Sequence, residues 1–132
     1  MTNFQINQSK KNTICIVSQF FPPDFAATGQ LLKELVYGLA KKGLFIEVIT
    51  SMPAYAYLSK RAISKETNKN VTIKRSRILC FSQKKLFWKV LNGLIFCIKI
   101  SVKLIMKSEK FSNIVYTTEP AFLPLFASFV HL

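Results

Sequence analysis

The sequence predicts an α/β fold, a Rossmann-like open parallel sheet with flanking helices. Short apolar runs rich in β-branched residues recur along the chain, helical periodicities separate them, and the first strand, helix and strand follow one another within about forty residues, the length of a βαβ unit. At 132 residues the chain is one domain's worth of core.

Residues 13–18, TICIVS, are too continuously apolar for a strand with one wet face, so they suit a sheet covered on both sides. Pro22 and Pro23 end that strand, because neither donates a backbone N–H. From Thr28, read as the N-cap, Leu31, Leu32, Leu35, Val36, Leu39 and Ala40 recur on one helical face. Lys41 and Lys42 complement the helix dipole in its last turn, and Gly43 provides a left-handed exit. Residues 44–50, LFIEVIT, form the second strand. A polar connection covers 51–70, and 71–81 hold a third strand with a bulge or break near Ser76.

Residues 85–107 raise the question of a membrane span. Their charges argue against it: Lys85, Lys89, Asn92, Lys99, Lys103 and Lys107 fall within an arc of about 80° at helical spacing. Burying Lys89, Lys99 and Lys103 near the centre of a bilayer would cost about 2.5–3.5 kcal/mol each. The segment therefore reads as an amphipathic helix whose wide apolar face packs on the sheet or sinks into a membrane interface, with Lys85, Lys89, Lys99 and Lys103 toward the membrane surface. NIVYTT, 113–118, is the fourth strand. Glu119 and Pro120 turn the chain into an apolar, helix-like tail that no cap closes.

The 19 Lys and Arg residues against 6 acidic ones give a net charge of +13, which calls for an anionic partner or a solvated basic surface. Cys15, Cys80 and Cys97 are odd in number and widely spaced, which suggests neither a disulfide framework nor a zinc site and fits a reducing cytosol. Residues 1–12 are polar, lack a signal-like apolar core and read as a disordered lead-in. The G-x-G-x-x-G and P-loop patterns are absent, and one His with one Asp makes neither a convincing hydrolytic triad nor a His-rich metal site.

In an open α/β sheet, ligands bind beyond the carboxyl ends of the strands. That places the candidate site in the loops after strands one and four. The small residues Ala26, Ala27, Thr28 and Gly29 let a ligand approach the backbone, and the helix start offers free N–H groups near Gln30. Glu119, at the edge of the crevice, either binds a sugar hydroxyl or caps its turn.

The stretch ICIVSQFFPPDFAATGQLLKELVYGLAKKGLFIEVITSMPAY, residues 14–55, resembles the start of family-4 glycosyltransferases with the two-domain GT-B fold, closest to the capsule and colanic-acid biosynthesis type. NIVYTTEPAFLPLFASFVHL, 113–132, resembles the same family's fourth strand and next helix, so the likeness covers about half the chain. It implies that residues 13–132 are the acceptor-side N-terminal domain, incomplete at its C-terminus, of an enzyme moving a sugar from a nucleotide-sugar to a membrane-linked glycan or lipid acceptor. Gly29 would then lie near the donor phosphates and acceptor. The nucleotide-sugar would be a substrate, with no cofactor or metal, and the protein would sit peripherally at the inner face of the cell membrane.

Two departures bear on this. Leu44 stands where the family usually has His after the helix-ending Gly, and the donor-binding half with its paired glutamates is missing. The expectation is a fragment that needs a donor domain or partner chain and transfers no sugar alone. The alternative is a non-catalytic basic module that docks on anionic membrane or nucleic acid, with nucleic acid the weaker partner because aromatic and basic residues do not interleave.

Overall fold

The computed structural model describes residues 13–53, 62–77, 86–117 and 128. Among these residues five strands and two helices follow one another as β1 (Thr13–Val17), α1 (Ala27–Lys41), β2 (Phe45–Ser51), β3 (Lys65–Asn68), β4 (Val71–Ser76), α2 (Leu86–Ile105) and β5 (Asn113–Tyr116), with a short 3-10 turn, Ser108–Lys110, before β5. The strands form one sheet in the order β3-β4-β2-β1-β5.

The α/β class stands, but the sheet is mixed. β1, β2, β4 and β5 run parallel, while β3 pairs antiparallel with β4, Lys65 opposite Lys74 and Asn68 opposite Val71. β3 lies inside the stretch expected to be a polar connection. All four of its residues, KETN, are exposed, so it carries none of the apolar alternation that marks a half-buried strand. Its signal is a turn instead: Lys69 adopts a left-handed φ of 49° and reverses the chain into β4.

Sheet connectivity sets the layers. β1-α1-β2 steps toward β4, and β4-α2-β5 steps back across β2 and β1, so two crossovers of the same hand put the helices on opposite faces. Two cores result. α1 contributes Leu32 and Val36 to one built from Ile16, Ile46, Val48, Val71 and Ile73. α2 contributes Phe96, Cys97, Ile100 and Leu104 to the other, against Cys15, Val17 and Ile49, with Ile114 and Tyr116 alongside. The register explains the division: Cys15 pairs with Glu47 and Ile16 with Val48, so successive residues of β1 feed alternate faces.

α1 ends as its sequence dictates. Lys41 lies in the last turn, Lys42 is the C-cap, and Gly43 takes a φ of 87° that side chains resist. Its start differs from expectation. The N-cap is Ala26 with no side-chain cap, and Thr28 lies inside the first turn. The lead-in at 1–12, the end of the third strand expected at 78–81, Cys80 and the apolar tail lie outside the described residues, apart from Ser128.

Candidate functional site

Strand order changes direction at β1. The chain leaves β1 toward β2 through α1 and reaches β5, on the other side of β1, through α2. The crevice of an open α/β sheet forms at such a point, beyond the strands' carboxyl ends, where neighbouring loops diverge. The loop 18–26 stands at that position, and Thr117, just past β5, borders it: its backbone N and its Oγ1 both donate to the Val17 carbonyl, at 3.1 and 3.4 Å.

Polar residues at the ends of β2 and β4 fasten this loop at two carbonyls. The Gln19 carbonyl accepts from Thr50 Oγ1 at 3.1 Å, Ser51 Oγ at 2.6 Å and the Ser51 backbone N at 3.3 Å. Arg75, at the carboxyl end of β4, holds the second: Nη2 donates to the Pro22 carbonyl at 2.9 Å, while Nη1 donates to the Ile63 carbonyl at 2.9 Å and to Glu66 Oε2 at 3.2 Å. The Arg75 side chain is 3% exposed and its Nε has no hydrogen-bond partner among the described residues. A buried guanidinium so placed ties the loop to β3 and to the segment before it.

The expected ligand residues occupy distinct positions. Gly29 is buried, and a Cβ there would meet the backbone of Phe20 and Phe21 at 3.4 Å, so the missing side chain first serves the close approach of α1 to the loop. Thr28 is half-buried, and exposed Gln30 donates Nε2 to the Asp24 carbonyl at 3.3 Å. The three therefore sit together at the start of α1, beside the loop. Glu119 and Lys85 lie outside the described residues, as does the Lys89 side chain. Asp24 and Arg75, which the sequence reading passed over, are both buried here. The available signal was the register: Arg75 interrupts the apolar side of VTIKRS, where a charge needs partners.

The two lysines of α2 whose side chains are described, Lys99 and Lys103, differ in exposure. Lys99 is exposed and donates Nζ to the Arg77 carbonyl at 3.2 Å. Lys103 is half-buried against the sheet, near Glu47, which Lys74 Nζ approaches at 2.6 Å as an ion pair outside hydrogen-bond angles. Burial, then the Lys107 and Lys74 charges, push the Lys103 ammonium below its ordinary range, against a pull from Glu47. The outward side is apolar instead: Phe87, Val90, Ile98, Val102, Ile105 and Met106 are exposed. Only half of the wide apolar face packs on the sheet. The sheet takes Phe96, Cys97, Ile100 and Leu104, and no described element covers the rest.

No described helix is long and apolar enough to cross a membrane. Compared with known proteins, the chain matches no family model, no curated protein and no solved structure.

Proposed function

We propose that the chain is the acceptor-side domain of a glycosyltransferase, working with a donor-binding domain or partner chain to move a sugar from a nucleotide-sugar to a membrane-linked glycan or lipid acceptor. The observation that carries this reading is the position of the fastened loop 18–26 and the start of α1 at the point where strand order reverses beside β1. Thr28, Gly29 and Gln30 sit together at the start of α1 beside that loop, where the positive end of the helix dipole favours phosphate or sugar hydroxyls. Glu119 would add a carboxylate from the β5 side.

The reading places the protein peripherally at the inner face of the cell membrane, with contact made by the uncovered stripe of α2 rather than by its lysines. That stripe follows a 20-residue helix, about 30 Å long, and the +13 charge draws the whole chain toward anionic lipid.

An NMR titration of the 132-residue chain tests the sugar-handling reading, using a nucleotide-sugar panel and a short-chain lipid-linked disaccharide. Amide shifts confined to 18–30 and the residues following β5 support it. Saturable binding elsewhere, or none to any acceptor, sinks it.

A further inference from the structure

A second surface also has the makings of a binding site. A hollow of about 440 Å³ opens between the end of α1 and the β3–β4 turn, lined by Tyr37, Ala40, Lys41, Asn68, Lys69, Asn70 and Val71. It shares Tyr37 and Lys41 with a neighbouring hollow of about 590 Å³ that runs along α1 past Gly38, Glu34 and Lys33 to Gln30. The two make one furrow that begins at the amino end of the sheet and ends at Gln30, beside the loop 18–26.

Gly38 supplies an independent observation. It lies in the interior of a 15-residue helix, where glycine is the poorest residue short of proline. Neither backbone nor packing asks for it: Gly38 has no positive φ, and a Cβ built there meets nothing within 4 Å. What its absent side chain does is leave helix backbone bare on the furrow floor, open to close approach.

The lining states the chemistry of an occupant. Lys33, Lys41 and Lys69 outweigh Glu34, which favours an anion. Asn68 and Asn70 each offer a donor and an acceptor, which suits vicinal hydroxyls, and Tyr37 provides one ring face. A nucleic-acid strand would call for several stacking rings, and the furrow has one.

We infer that this furrow binds an acidic saccharide chain, its carboxylates on Lys41 and Lys69 and one sugar ring over Tyr37 beside the bare backbone at Gly38. The inference rests on the glycan-handling reading above for the choice of saccharide and extends it from Gln30, at the crevice rim, along α1 to the amino end of the sheet.

The test is titration of the 132-residue chain with tetragalacturonate, with neutral maltotetraose and an oligothymidylate as comparisons, followed by amide shifts. Tetragalacturonate is expected to move 37–41 and 68–70, and maltotetraose to bind about tenfold more weakly or less. Gly38→Ala is expected to raise the thermal midpoint yet weaken tetragalacturonate about tenfold, a combination that misfolding cannot produce. Lys41→Glu with Lys69→Glu is expected to abolish binding. Equal affinity for the oligothymidylate with the same salt dependence, unchanged binding by Gly38→Ala, or shifts restricted to 18–30 would each overturn the furrow, and the last would leave the crevice reading intact.

Discussion

Arg75 shows how one buried charge organises a loop. Its guanidinium binds two carbonyls and a carboxylate, so Arg75→Met strands the carbonyls of Pro22 and Ile63 together. The expected loss is about 3 kcal/mol in urea denaturation, with faster amide exchange across 18–26, whereas Glu66→Gln costs under about 1 kcal/mol because Glu66 is half-exposed. Gly29 offers a contrasting case. Its Cβ position is in ordinary contact with Phe20 and Phe21, so Gly29→Ala should fold with stability changed by no more than about 1 kcal/mol, while Gly29→Val drives methyls at backbone and costs about 1–3 kcal/mol by the same measurement. Cys15 sets a pH dependence. Burial, then Glu47, pushes its thiol from 9.0 up to about 12. A folded pKa above the unfolded one means that the thiol's contribution is complete below about pH 9 and is lost as pH climbs toward about 12. Lys103, shifted downward, opposes this in the alkaline range. Denaturation midpoints falling from pH 9 to 10.5 in the native chain, with a shallower fall in Cys15→Ala, are the expected result.

At the scale of elements, α2 carries two apolar sides with different duties. Phe96 is fully buried, so Phe96→Ala is expected to cost about 3–5 kcal/mol, while Ile98→Asp, on the outer stripe, leaves stability within about 0.5 kcal/mol and abolishes flotation with anionic vesicles. Unchanged flotation in Ile98→Asp would refute the membrane-facing assignment of that stripe. Both helices and the four parallel strands were legible in the sequence because each carries its own periodicity or β-branched run. β3 was not, since an exposed antiparallel edge buries nothing and its residues are chosen by solvent. The turn of α2 about its axis was hidden for a related reason. Counting lysines gave the polar arc but not which side the sheet would select, and Lys103 ends half-buried, where burial disfavours its charge and Glu47 only partly offsets that. The loop after β1 was legible as a strand-to-helix connection, through its prolines and small residues. Its fastening by Thr50, Ser51 and Arg75 depends on which strands become neighbours, which periodicity does not encode.

The whole molecule carries +13 with few described ion pairs to offset it, Lys74–Glu47 and Arg75–Glu66 among them. Self-repulsion of that size destabilises a compact chain, so raising NaCl from about 20 mM to about 500 mM should raise the thermal midpoint, while weakening attachment to anionic vesicles. A midpoint insensitive to salt would mean that the charges are already balanced.

Among the described residues, the sheet's two margins are chemically unlike. On one side β3 presents lysine, glutamate, threonine and asparagine, a charged and hydrated border that discourages any newcomer. On the other, β5 reads Asn-Ile-Val-Tyr, short and free of charge. A grafted reporter strand should therefore be accepted alongside residues 113–116 and refused alongside 65–68, which gives the fold a built-in polarity for assembly.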